Sequence, residues 1–293
     1  MQYSSVVTIM FSLIILAAVF LLLIISYCKP EPILGVYQQG GLLAPLKQIL
    51  MFLLIKLNQR RVQHRPVGHS RAWLGLAAED DISVMESPQT LLSHSLACDA
   101  VWFGGGGRDG TYLVISGARR QNNILESMVF LHLPGVGLLE HHQHPQTAMA
   151  QSDSQSGGWE GGGVSLTPVS PMKVWRVKFQ GRMRSRQTGS LHAVNIDGEF
   201  RSDLPYFDFD SDMEAWTVAR AMAREPWSRE YFARLKSSHQ NHYEQFGNIT
   251  GSVEVDGEVS SIAVEVMRDH THGSIRDWRL LHRYCFHQFC TAR

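Results

Sequence analysis

The sequence has no excess of charge of either sign, and it has few cysteines. Its 293 residues carry 27 basic and 27 acidic side chains, so the formal net charge is zero. A neutral chain gives no electrostatic reason to bind nucleic acid, and we predict no nucleic-acid partner. Four cysteines, of which Cys285 and Cys290 are near neighbours, do not form a disulfide framework, so we predict free thiols.

Phosphate-binding motifs are also missing. The stretch GGGGRDG, residues 104–110, is rich in glycine but lacks the Lys-Ser/Thr ending of a P-loop. The stretch QSDSQSGGWEGGG, residues 151–163, is typical of a flexible loop. The sequence therefore predicts neither a bound nucleotide nor another cofactor.

The sequence does contain one long apolar run, at residues 6–27. This run has no charged side chain, and as a helix it would be about 33 Å long, close to the hydrocarbon thickness of a bilayer. A cleaved signal peptide would need a charged start, a shorter apolar core and a small-residue cleavage site, and this segment does not have that pattern. We therefore predict a transmembrane anchor within residues 1–28.

The charges that flank this run predict its orientation. Only the α-amino group precedes it, whereas six basic residues follow it: Lys29, Lys47, Lys56, Arg60, Arg61 and Arg65. Because positive charge is retained on the cytosolic side of a membrane, residues 66–293 are expected to be cytosolic. The sequence thus predicts a single-pass membrane protein with the lipid bilayer as a partner, and it does not show whether the protein has protein partners.

A second apolar stretch, LLAPLKQILMFLLIKLNQRR, occupies residues 42–61. Only eight residues separate Lys47 from Lys56, which is too few to cross a bilayer. One interpretation is a helix that lies in the membrane interface, with Arg60 and Arg61 facing anionic lipid. The other is a helix packed on the rest of the protein. We assign this stretch to a juxtamembrane segment of residues 29–70.

From about residue 72 onward, short apolar stretches alternate with turn residues, which predicts β-strands. In one of them Trp175, Val177 and Phe179 alternate with more polar neighbours, as expected when one face of a strand is buried. The dipeptide Asp256-Gly257 is a strong signal for a hairpin turn.

One predicted helix interrupts the strands, at residues 213–236, and is broken near Glu225-Pro226 because proline cannot donate its backbone hydrogen bond. The predicted fold of residues 71–293 is therefore an all-β antiparallel barrel or sandwich with one inserted helical segment, preceded by the transmembrane helix.

Three stretches resemble a known family. HYEQFGNITGSVEVDG, residues 242–257, and MRDHTHGSIRDWRLLHRY, residues 267–284, resemble the Tyr-Glu-Gln and Arg-Asp-His-Ser-x-Gly-x-Arg-Asp-Trp patterns of the lipocalin-like family of AttH-type proteins and, more distantly, carotenoid 1,2-hydratases. DAVWFGGGGRDGTYLVISGARRQNN, residues 99–123, resembles the same module in animal proteins, where it precedes a phosphoenolpyruvate synthase-like phosphotransferase. The resemblance covers roughly residues 70–286 and departs at His272, where the family has an aromatic residue.

This resemblance implies a lipocalin-like module that binds an apolar small molecule, here anchored to a membrane. Two alternatives follow from its relatives. The first is a hydratase or isomerase that acts on a lipid or isoprenoid. The second is a non-catalytic regulatory module of a phosphoenolpyruvate synthase-like phosphotransferase.

The C-terminal residues predict an incomplete β domain. Residues 279–289 have the pattern of a last strand, and no later segment could pair with it, which would leave an exposed edge. We therefore expect a truncated form of a longer protein, without the phosphotransfer activity of the longer relatives.

The cluster MRDHTHGSIRDW, residues 267–278, contains the candidate site residues. On an extended strand His270 and His272 share a face while Asp269 points away, and a fourth ligand is missing, so we predict no metal. Asp269 and His270 are candidate catalytic residues, with the carboxylate holding and tuning the imidazole.

A structural role for the same cluster is the interpretation that we rank above catalysis. Arg268, Asp269, Arg276 and Asp277 would form a buried ion-pair network around an apolar cavity, with Trp278 lining that cavity. The motif that resembles the family adds further candidates for the network or for ligand binding: Tyr243, Glu244 and His272.

Overall fold

The structure is a computed structural model, and it describes residues 12–21, 30–63, 82–151, 158–280 and 286–288. The chain divides into two units. We call the first, Met1–Arg61 with Met213–Ala233, the helical unit, and the second, Val62–Asp212 with Arg234–Arg293, the barrel unit.

Five α-helices lie within the described residues: α1 (residues 12–21), α2 (Ala44–Gln63), α3 (Ile82–Met85), α4 (Ala215–Arg224) and α5 (Arg229–Ser237). Helix α1 belongs to the predicted transmembrane run, whose remaining residues lie outside the described part of the chain. None of the described helices combines the length and hydropathy needed to cross a bilayer. The predicted break in the inserted helical segment is confirmed, since α4 ends at Arg224 and α5 begins at Arg229.

Helix α2 buries one face within the helical unit and exposes the other. Met51 and Ile55 are buried, and the ring of Phe52 contacts that of Trp216 in α4, edge to face at 5.3 Å. The Nζ of Lys47 donates a hydrogen bond to the carbonyl oxygen of Glu225. On the other side, six large aliphatic side chains are about half exposed or more: Leu46, Ile49, Leu50, Leu53, Leu54 and Leu57. We call these six residues the leucine face.

Twelve strands lie within the described residues: β1 (Cys98–Gly106), β2 (Tyr112–Arg120), β3 (Ile124–Leu133), β4 (Gly137–His141), β5 (Ala148–Ala150), β6 (Trp159–Gly161), β7 (Val164–Ser170), β8 (Val174–Ser185), β9 (Leu191–Arg201), β10 (Phe207–Asp208), β11 (Gln240–Val255) and β12 (Glu258–Gly273). Eight of them pair in the order β11–β12–β1–β2–β3–β4–β8–β9, and β9 returns to β11. All of these pairs are antiparallel. The result is a closed barrel, so of the two predicted arrangements the barrel is correct.

The core of the barrel unit lies inside this ring. Alternate residues of each strand point inward, and Trp175, Val177 and Phe179 of β8 are fully buried as predicted. Phe103 packs against Trp175 and Phe200, with ring centroids 5.8 and 5.4 Å apart. Large side chains therefore fill much of the interior of this eight-stranded barrel.

One predicted turn is confirmed, and one glycine-rich stretch lies partly in a strand. Asp256 and Gly257 form the expected hairpin turn between β11 and β12, with φ angles of 50° and 91°. The stretch at residues 104–110 begins inside strand β1. At Gly105 a Cβ atom would lie 1.9 Å from the carbonyl oxygen of Glu265, so the close pairing of β1 with β12 requires glycine there.

The predicted last strand is wrong where the structure describes it. Trp278–Leu280 form a 3₁₀ turn, and residues 286–288 have no strand conformation. The ring needs no later strand to close, because β12 closes it by pairing with both β11 and β1. The predicted truncation stays a prediction.

Candidate functional site

A continuous series of buried polar side chains lies inside the barrel. Each side chain is hydrogen-bonded to the next one in the order Arg268, Glu86, Tyr243, His270, Asp99, Arg119. We call these six residues the interior polar chain. They come from β12, β11, β1, β2 and the residue after α3, so the interior polar chain joins elements that are far apart in the sequence.

Glu86 and Arg268 form an ion pair that is almost completely buried, with 2.6 Å between Nη1 and Oε1. The carboxylate also accepts hydrogen bonds from the indole Nε1 of Trp175 at 2.6 Å and the backbone N–H of Met172 at 3.1 Å. The Nη2 of Arg268 donates to Oε1 of Gln245 at 2.8 Å. Burial alone would raise the pKa of Glu86, but the Arg268 charge and these hydrogen bonds together hold it below its usual value.

Tyr243 links this ion pair to His270. Its hydroxyl donates to Glu86 and lies 2.9 Å from Nδ1 of His270. Burial, together with the neighbouring Glu86 carboxylate, keeps the pKa of Tyr243 well above its usual value, so the side chain remains a phenol that can donate.

Asp99 joins His270 to Arg119, the last member of the interior polar chain. Its carboxylate oxygens lie 2.7 Å from Nε2 of His270 and 2.7 Å from Nη1 of Arg119. Burial opposes ionisation, but the bonds from His270, the Gln89 backbone and Arg119 lower the pKa of Asp99. His270 is thus held between the Tyr243 hydroxyl at Nδ1 and the Asp99 carboxylate at Nε2.

The predicted catalytic pair does not form, because Asp269 and His270 are consecutive on β12 and point to opposite faces. The carboxylate that holds His270 is Asp99, from the first strand of the barrel. The predicted network is also wrong in its membership, since only Arg268 among its four residues lies in the interior.

The other two members of that network lie after β12. Arg276 donates to Oε1 of Gln240 at 2.7 Å, and its guanidinium stacks on Trp278 at 4.4 Å. Asp277 pairs with Arg279, whose side chain is 83% exposed. None of these contacts reaches the interior polar chain, so neither residue takes part in the buried network.

Three further candidates occupy different places. Glu244 is half-buried on the outward side of β11 and accepts from His242 at 3.2 Å. His272 points inward beside His270, with ring centroids 5.5 Å apart, and burial lowers its pKa from 6.5 to about 4. Trp278 is 55% exposed, so it lines the outside of the barrel and not an interior cavity.

An apolar groove of about 670 Å³ lies on the outer wall of the barrel. Outward-facing residues of β12, β1, β2 and β3 form its floor, and Arg276, Trp278 and Phe286 border it. The side chains that give it its apolar character are Ala118, Met128, Met267, Trp102, Trp278 and Phe286. Trp102 and Phe286 meet edge to face at 5.9 Å. We call this cavity the outer groove.

Polar groups enter the outer groove at a few points. Arg120 and Glu126 pair with each other at its rim, at 2.9 Å. Asp269 lies in the lining between apolar neighbours, and burial raises its pKa although the charges of His242 and Arg276 act in the opposite direction. An apolar cleft with a few convergent polar groups is the usual form of a small-molecule site.

Sequence reasoning missed Glu86, Asp99 and Arg119. One signal was available, since strand alternation places Arg268 and His270 on the same face as the buried Val264 and Val266. Charged residues on such a face require buried partners. The identity of the partners was not predictable, because they lie as far as 182 residues away.

Metal ligation has no support in the part of the chain that the structure describes, where no three His, Cys, Asp or Glu side chains are grouped suitably for an ion. Cys98, the one cysteine within that part, is a free thiol as predicted, and burial raises its pKa to about 11. The other three cysteines lie outside the described residues.

Fold and site together define a closed antiparallel barrel of eight strands with the interior polar chain inside and an apolar groove outside. The model of a family of unknown function, DUF8627, matches residues 12–293, and the chain therefore belongs to that family. Among solved structures, the chain is similar to a Nitrosomonas europaea protein with the provisional assignment AttH, at 11% identity and a TM-score of 0.41. That match covers 65% of this chain and 58% of that protein, so the chain spans less than two thirds of it. No curated protein matches.

Proposed function

We propose that this protein is a membrane-anchored lipocalin-like module that binds an apolar small molecule in the outer groove. The observation that carries the proposal is the groove itself, whose volume of about 670 Å³ lies within the usual range for small-ligand sites. Its aromatic and methionine side chains offer a large contact area to an apolar ligand.

Filling the outer groove should abolish binding. We expect the substitution Ala118→Phe to reduce photo-cross-linking of a diazirine-bearing dodecyl probe to the groove strands by about tenfold or more, because the ring occupies the ligand's volume. The measurement uses the full chain in lipid nanodiscs, with cross-linked peptides mapped by mass spectrometry.

The matched control is Ala193→Phe, an exposed alanine on β9 that does not line the outer groove. This variant should cross-link like the wild type. Equal labelling of the groove strands in both variants would refute the groove as the binding site.

The membrane part of the proposal rests on the helical unit. The apolar run at residues 6–27 is long enough to span a bilayer, and its flanking basic residues favour a cytosolic position for the rest of the chain. The leucine face follows shortly after it and is exposed, with Lys56 and Arg60 also exposed on the same helix. We propose that the leucine face lies in the lipid surface, with these two cations near anionic head groups.

A photoactivatable phosphatidylcholine tests this position of α2. In bilayers that contain anionic lipid, the wild-type chain should cross-link through α2. The double variant Leu53→Glu with Leu57→Glu should lose most of that labelling, because carboxylates are costly in the acyl region. Labelling of residues 6–27 serves as the internal reference.

The control for α2 is Gln59→Glu, which adds a carboxylate at a half-buried position outside the leucine face. Its α2 labelling should remain at the wild-type level. If the double variant also labels normally, the leucine face contacts something other than lipid.

The two alternative functions rank lower. A hydratase or isomerase would need its acid and base to reach a substrate, but His270 and Tyr243 are 0% and 2% exposed, and the cavity that touches Tyr243 holds only about 20 Å³. A regulatory module of a phosphoenolpyruvate synthase-like phosphotransferase rests on the sequence resemblance alone. A ligand in the outer groove would favour the binding module over the regulatory module.

A further inference from the structure

The environment of Asp269 indicates the chemical class of ligand, provided that the outer groove is the binding site proposed above. Asp269 is a half-buried carboxyl group in an otherwise apolar lining. One of its oxygens, Oδ1, accepts from the hydroxyl of Thr271 at 3.3 Å. Its other oxygen, Oδ2, has no hydrogen-bond donor among the described residues. A carboxylate withdrawn from water gains strongly from an additional donor.

Arg276 restricts which donor can be accommodated. Its guanidinium lines the same groove and is fixed there, because its side chain bonds Gln240 and its backbone N–H donates to the carbonyl of Leu96 at 2.9 Å. The charge of Arg276 acts on Asp269. A cationic head group placed on Asp269 would therefore be repelled by Arg276, whereas an anionic head group would be repelled by Asp269 itself.

A neutral hydroxyl avoids both repulsions. It can donate its proton to Asp269, and its oxygen can accept from a guanidinium N–H of Arg276. The apolar body of the ligand would then lie along Met128 and Met267, with Trp102 as a flat wall. We propose that the outer groove binds a neutral long-chain alcohol, with the hydroxyl group held by Asp269.

Competition among probes of equal chain length tests this proposal. The full chain in nanodiscs is cross-linked with diazirine-bearing dodecanol, and unlabelled dodecanol, dodecyl methyl ether, dodecylammonium and dodecanoate compete in turn. Dodecanol should compete roughly tenfold or more better than the methyl ether, which has the same oxygen but no proton to donate. Both charged competitors should also be weaker than dodecanol.

Two variants assign the preference to one carboxylate. Asp269→Leu should remove the preference for dodecanol over the methyl ether while leaving the methyl ether as effective as before. Glu265→Leu, a matched change at an exposed carboxylate of the same strand that does not line the outer groove, should retain the preference.

The outcomes separate this inference from the proposed function. Groove labelling with equal competition by dodecanol and its methyl ether would overturn the alcohol assignment and leave the groove as a binding site. Stronger competition by dodecylammonium would likewise overturn it in favour of a cationic ligand. Absence of labelling on the groove strands with any probe would overturn both proposals.

Discussion

Replacing Glu86 with glutamine is expected to lower the free energy of unfolding of the barrel unit by about 3–5 kcal/mol. The amide carries no charge, so Arg268 would remain buried at 0% exposure without a counter-ion. Domains are stable by about 5–15 kcal/mol, so a loss of this size should be visible as partial unfolding at moderate temperature. Urea unfolding of the full chain in mild detergent, followed by tryptophan fluorescence, measures it.

Two further variants show whether the unpaired charge causes the loss. The double variant Glu86→Gln with Arg268→Met removes that charge and should be more stable than Glu86→Gln alone. Asp203→Asn, at the exposed pair that Asp203 forms with Lys173, should have little effect. A double variant no more stable than the single one would show that the charge on Arg268 is not what makes Glu86 necessary.

The second large effect is a pH dependence caused by His272. Burial, with a smaller contribution from the charge of His270, lowers the pKa of His272 from 6.5 to about 4. As the pH falls through 6.5, the unfolded chain takes up a proton, whereas the folded chain does so only near pH 4. The free energy of unfolding should therefore fall across this window, by about 3 kcal/mol in total.

His272→Phe should remove that dependence, because phenylalanine does not titrate. The lowered pKa values of Glu86 and Asp99 also reduce stability in acid, but only as the pH falls below about 4.5, and equally in both proteins. The measurement is urea unfolding of wild type and variant between pH 7 and pH 4.5, with the exposed His94→Phe as a control. Parallel curves for wild type and His272→Phe would exclude His272 as the titrating group.

Local rules account for the parts of the fold that were predicted correctly. The alternation at Trp175, Val177 and Phe179 depends only on the two-residue period of a strand, and the turn at Asp256-Gly257 depends on residues that tolerate positive φ. The break between α4 and α5 follows from one proline. Each of these signals lies within a few residues of the structure that it determines.

The candidate site was predicted less well because its contacts are non-local. The same two-residue period excludes an inward pair of Asp269 with His270, so that error was avoidable from the sequence. The partners of Arg268 and His270 were not predictable, since Glu86 and Asp99 lie 182 and 171 positions away. The outer groove depends on the positions of Arg276, Trp278 and Phe286 beside the barrel wall, and the strand pattern of residues 279–289 did not indicate those positions.

The pairing of β12 with β1 determines when the barrel can form. Asp99 lies opposite His272 and Val101 opposite His270, so the ring closes between the beginning and the end of the barrel sequence. During synthesis, β1 therefore has no β12 neighbour until residue 273 has been made, and its edge is open to wrong partners. Joining such distant segments lowers the conformational entropy of the loop before the contacts between them stabilise the fold. The barrel should therefore fold slowly, on the timescale of milliseconds to seconds typical of β proteins.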